Sequence, residues 1–188
     1  PTTEIAAATP VAAEGASTPA TATAFDSSQV QLVWELTDAG DTPFEEPFGI
    51  AFAPNGNLYI TDPARKVVDV FSPDGTYLES WGEAGTGPGQ FNSPENIDFD
   101  ADGNIYIFDT LNNRVQKFAP DHSFIKEWGS PGTGNGEFNE IHGAVDAERG
   151  RVYVSEFLNN RIQVFDLDGN FLDKWGSQGS RDGQFLHP

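Results

Sequence analysis

IYIFDTLNNRVQKF runs from Ile105 to Phe118, returns as VYVSEFLNNRIQVF from Val152 to Phe165, and has a looser copy, LYITDPARKVVDVF, from Leu58 to Phe71. Leu58, Ile105 and Val152 stand 47 residues apart, and so do Trp34, Trp81, Trp128 and Trp175, which are all the tryptophans of the chain. Phe44, Phe91, Phe138 and Phe185 keep the same step, as do Gly56, Gly103 and Gly150. A fixed period of this length without gaps means stacked copies of one supersecondary unit.

The unit itself reads as strands. IYIFD alternates side-chain character at period two, TLNN turns the chain, and RVQKF alternates again. Asn55-Gly56, Asp74-Gly75, Asp102-Gly103 and Asp168-Gly169 supply residues that accept positive φ in tight hairpin turns. No segment carries an apolar period of 3.6 long enough for a helix. Each copy is therefore expected to be a four-stranded antiparallel meander, joined to the next by a Gly-rich link such as GEAGTGPGQF or GSPGTGNGEF. Four strands per 40–50 residues is the signature of a propeller blade, so the fold class is all-β. The tryptophan closing each fourth strand is expected to wedge neighbouring blades together.

DTLNNRVQKF at 109–118 and EFLNNRIQVF at 156–165, preceded by GNIYIFD and GRVYVSE, resemble the NHL-repeat proteins. The resemblance runs from about Val30 to the end of the chain. It implies a β-propeller, six-bladed as a rule, in a family that includes RNA-binding ubiquitin ligases, bacterial surface and sensor propellers and a peptide-amidating lyase. Fold alone does not choose between them.

The phase of the repeat sets expectations about organisation. Residues 1–27 are mostly Ala, Thr, Pro and Ser and read as a disordered linker; 28–188 read as propeller. QVQLVWELT, 29–37, is expected to be a lone fourth strand, followed by blades at about 47–82, 94–129 and 141–176. Three blades suggest a partial copy of a longer ring, with a 3+3 homodimer as the alternative if the chain is complete. An Ala/Thr/Pro stalk points towards an extracellular or cell-envelope location.

Composition narrows the partners. Asp and Glu number 29 against 10 Lys and Arg, a formal charge of −19, which repels phosphate backbones and argues against nucleic acid. No run is apolar enough to insert in a membrane. Without cysteine there is no thiolate chemistry.

Candidate sites follow from comparing equivalent positions. Asp62, Asp109 and Glu156 share one position, and Arg114 and Arg161 another, with Val67 in the first copy. They read either as a carboxylate ring for a cation or, more simply, as acid–base pairs bracing a turn. Asp98, Asp100, Asp102, Gly103 and Asp109 match the spacing of an EF-hand loop, but between strands and in one copy alone. GTGPG and GTGNG lack the helix and lysine of a phosphate loop.

Phe48, Glu95 and His142 occupy one repeat position, at the start of each first strand. By resemblance this position faces the central opening, and in the lyase branch a histidine there binds zinc. His142 is the single such histidine here, too few for a three-ligand site, so neither a metal nor any other cofactor is expected. The expected function is a binding or sensor propeller that recognises a protein, peptide or small-molecule ligand through Phe48, Glu95, His142, Asn112, Asn113, Asn159 and Asn160. The Asn pairs also read simply as turn residues. The alternative is a metal-dependent lyase or hydrolase completed by further blades.

Overall fold

The computed structural model describes residues 35–188. The expected linker at 1–27, and the expected leading strand as far as Trp34, lie outside the described residues. Glu35–Thr37 are not in a strand; instead β1 (Asp38–Ala39) and β2 (Thr42–Pro43) make a two-residue hairpin.

Three four-stranded antiparallel sheets follow, each in simple chain order. Blade 1 comprises β3 (Ile50–Phe52), β4 (Leu58–Asp62), β5 (Val67–Phe71) and β6 (Tyr77–Trp81). A short parallel pair, β7 (Glu83–Ala84) and β8 (Gln90–Phe91), forms the first link. Blade 2 is β9 (Pro94–Phe99), β10 (Ile105–Asp109), β11 (Arg114–Phe118) and β12 (Phe124–Trp128). Blade 3 is β13 (Ile141–Asp146), β14 (Arg151–Glu156), β15 (Arg161–Asp166) and β16 (Phe171–Trp175). The all-β propeller architecture read from the 47-residue step is the architecture observed.

Period two decides which side chains meet. On β10, Ile105 and Ile107 point towards blade 1 and join Tyr59, Val68, Val70, Ile97 and Phe99 in one core cluster. Tyr106 and Phe108 point the other way and join Val115, Ile141, Val152, Val154 and Phe165 of the next seam. Both faces of the middle strands are thus buried, which is why β10 has no exposed residue. Trp81 reaches from blade 1 onto Phe118 of blade 2, ring centroids 4.9 Å apart, and Trp128 meets Phe165 of blade 3 at 6.2 Å. These are interblade wedges. Trp175 packs on Tyr153 of its own blade and is 42% exposed. The outer side of blade 1 is covered by Leu36, Ala39 and Phe44, which pack with Leu58, Ile60 and Phe71.

The Asn-Arg-x-Gln segment has a second task besides turning the chain. Arg114 donates from Nε to Asp109 (3.1 Å) and from its two terminal nitrogens to the carbonyls of Thr86, Gly87 and Gln90. Gln116 completes the grip, donating to the Gln90 carbonyl and accepting from the Gly89 amide. Arg161 and Gln163 repeat every element on Thr133, Gly134, Glu137 and Gly136. The motif is a clamp on the preceding Gly-rich link. The planar fork of arginine suits three carbonyls in a way that lysine cannot match. In blade 1, where Val67 stands in place of the arginine, Arg65 bonds Asp69 at 2.8 Å and lies 3.7 Å from Asp62. The partner missing at one position is thus replaced from two residues away.

Candidate functional site

Phe48, Glu95 and His142 come from three different blades and meet. The rings of Phe48 and His142 lie 6.2 Å apart and within 24° of parallel. His142 Nε2 is 3.5 Å from Glu95 Oε2. Two further residues hold this group in place. Ser93 donates its hydroxyl to Glu95 Oε1 at 2.9 Å, and Asn96 Oδ1 is 2.8 Å from His142 Nδ1. Asn96 thus fixes the ring so that Nε2 is turned to the Glu95 carboxylate. Phe48 is 53% exposed, and the His142 side chain 35%. The group is an open mouth rather than a sealed core.

A cavity of about 320 Å³ adjoins it, lined by Asn96, His142, Gly143, Ala144, Tyr153, Ser155 and Ile162. Val152 and Val154 pack towards blade 2, so the alternate residues Tyr153 and Ser155 turn to the opposite face of blade 3. The cavity extends from His142 along that face. Gly143 is required here: a Cβ would overlap the Phe108 ring and the Tyr153 carbonyl.

The four asparagines are placed differently. Asn112 donates to the Gly85 carbonyl and to Asp109, and Asn159 to the Gly132 carbonyl and to Glu156. Asn113 and Asn160 take left-handed φ values of 52° and accept the amides of Glu140 and His187. Their amides serve turns and links.

The shared carboxylates also serve the scaffold. Asp109 accepts the Asn92 and Ser93 amides and pairs with Arg114; Glu156 pairs with Arg161 at 2.6 Å. Asp62 accepts the amides of Glu45, Glu46 and Arg65. All three are wholly buried, as bracing requires and a cation ring does not. The EF-hand-like spacing brings no ligand set together. Asp98 accepts the Val145 amide, whereas Asp100 binds Asn104, Tyr106 and Lys117. Among the described residues no three His, Asp or Glu side chains are grouped as a metal site.

Asn96 and Ser93 went unnoticed in the sequence. The signal for Asn96 was there: it stands where the neighbouring copies have Gly49 and Gly143. Tyr153 gave none, because the same tyrosine is buried in blade 2 as Tyr106.

The sequence model of DUF5128, described as a 6-bladed beta-propeller, matches residues 40–128 and, overlapping, 90–177. The chain belongs to that family. No curated protein matches the chain in sequence. Solved structures do. A catalytically inactive virginiamycin B lyase from Staphylococcus aureus, with quinupristin, is 18% identical over 67% of this chain and 40% of its own, TM-score 0.52. A chain of the nidogen/laminin complex is 22% identical over 70% of this chain and 49% of its own, TM-score 0.56. Hydrazine synthase of Kuenenia stuttgartiensis is 18% identical over 76% and 41%, TM-score 0.55. This DUF5128 chain therefore spans less than half of each of these chains. At these identities the likeness concerns the propeller fold, which carries lyases and binding proteins alike.

Proposed function

We propose that this chain is part of a non-enzymatic binding propeller of NHL type, displayed outside the cell or at its envelope. It takes a cationic group of a protein, peptide or small molecule at the mouth formed by Phe48, Glu95 and His142. The observation that carries this reading is the convergence of those three residues, one from each blade. Glu95 offers a carboxylate that, among the described residues, pairs with no Lys or Arg and faces the His142 imidazole. Phe48 offers an exposed ring face that attracts a cation or an apolar stem. A net charge of −19 steers positive ligands towards such a mouth. The Ala/Thr/Pro composition of 1–27 supports display outside the cell, and among the described residues no helix is long and apolar enough to cross a membrane.

The test is a peptide array probed with the protein and with Glu95→Gln, in which each arginine or lysine is paired with a norleucine variant. Binding that needs the cationic residue and weakens at least tenfold in Glu95→Gln supports the proposal. Binding indifferent to both changes overturns it. Stoichiometric zinc in the purified protein would instead favour the metal-dependent lyase or hydrolase.

A further inference from the structure

On the other side of blade 2, the β11–β12 hairpin turns through Ala119–Ser123 with His122 at φ 66°. The equivalent residues are Gly75 and Gly169, with φ of 84° and 75°. Glycine takes this backbone freely, and a side chain there is strained. The histidine is not idle. Its ring lies on Trp81 of blade 1, centroids 4.7 Å apart and 13° from parallel, and meets Tyr59 edge-on at 5.9 Å. Nε2 is 3.3 Å from the Tyr59 hydroxyl, and Nδ1 is 3.8 Å from Glu79. The side chain is 15% exposed. Blade 3 shows the alternative: Gly169 lies directly against the Trp128 indole, with no room for a Cβ. One seam is closed by backbone on indole, the other by an inserted imidazole.

We propose that His122 is a pH-operated bolt: neutral, it closes the seam between blades 1 and 2 by stacking on Trp81, and protonated, it withdraws and loosens that seam. The groups facing it are Glu79 on β6, Tyr59 on β4 and Asp121 on its own turn; Asp102 lines the same small hollow as Tyr59 and Pro120. Glu79, Asp121 and the indole face favour the cation. Burial opposes it and outweighs the carboxylates, holding the imidazole below its usual 6.5. The native state then binds fewer protons than the unfolded chain once pH falls below about 6.5, so stability declines from there towards the native value and levels off beneath it. Neither Glu95 nor His142 takes part, so the bolt stands or falls independently of the ligand mouth.

The test compares the full chain with His122→Asn, which tolerates left-handed backbone and does not titrate in this range. The imidazole of His122 is followed by NMR against pH, and melting temperature is read at pH 7.5 and 5.5. The proposal expects a midpoint below 6.5 in the folded protein, and an extra loss of at least about 2 °C at pH 5.5 in the parent relative to His122→Asn. A midpoint at or above 6.5, or equal losses in the two proteins, overturns it. Should the variant fail to fold, the NMR midpoint of the parent alone decides.

Discussion

Replacing Arg114 by alanine removes one guanidinium and the five hydrogen bonds it donates, to Asp109, Glu127 and three link carbonyls. Breaking a buried ion pair from one side costs about 3–5 kcal/mol, because the other charge stays behind. Asp109 is wholly buried, which pushes the cost upward. It nevertheless keeps the amides of Asn92 and Ser93 and the side chain of Asn112, which bring the cost back down. Glu127 is 43% exposed and adds little. Of the link residues Thr86 is exposed and Gly87 and Gln90 are half-buried, so their carbonyls regain water only in part. The expected loss is therefore about 3 kcal/mol, at the lower end of the range. Arg114→Lys keeps a positive charge but not the fork, and should lose about 1–2 kcal/mol. Urea unfolding followed by tryptophan fluorescence measures both, and hydrogen exchange should rise across residues 82–91 as the clamp opens. A loss below about 1 kcal/mol for the alanine variant, with the link still protected, would refute the clamp.

Two further outcomes follow from the same geometry. Trp128→Ala should cost about 3–4 kcal/mol, since the ring contacts both Tyr106 and Phe165, whereas Trp175→Ala should cost less than about 2; equal losses in denaturant unfolding would remove the wedge from the argument. Asp100 is opposed by burial, but hydrogen bonds from Asn104 and Tyr106 and the charge of Lys117 outweigh it and hold the carboxyl below its usual 3.8. Its stabilisation is present above that value and lost as pH falls through the depressed one, so Asp100→Asn should flatten the acid limb of stability between pH 5 and 3. Identical urea midpoint shifts in both proteins would contradict this.

Much of the scaffold was legible because a repeat exposes each residue three times. Trp81 and Trp128 were readable as wedges from their spacing, and the acid–arginine pairs from their joint recurrence. The grip of Arg114 on the link was not, because its partners are backbone carbonyls 24–28 residues earlier, and carbonyls carry no residue identity. Arg65 escaped for a related reason: it serves from the Asn112 position rather than from that of Arg114, and only the folded turn shows it approaching Asp62, the counterpart of Asp109, while it bonds Asp69. At the mouth, comparing copies singled out Phe48, Glu95 and His142, because a repeat that departs from itself at one position is visible in letters. Ser93 and Asn96, which orient the two polar members, depend on side-chain direction, and letters do not carry it.

The 47-residue step by itself determined the all-β class and the four-stranded unit that stacks on its neighbours. Those properties follow from local periodicity and from the requirement that each blade bury its faces on the next. The tertiary structure decided which departures from the repeat matter. It brought Phe48 of blade 1 to within 6.2 Å of His142 of blade 3, which stands two repeats, 94 positions, further along the chain. It also turned His122, one letter in a hairpin, into the ring that fills the seam against Trp81. Period and propensity act along the chain, whereas a binding mouth and a bolt are made by residues that meet only when blades pack.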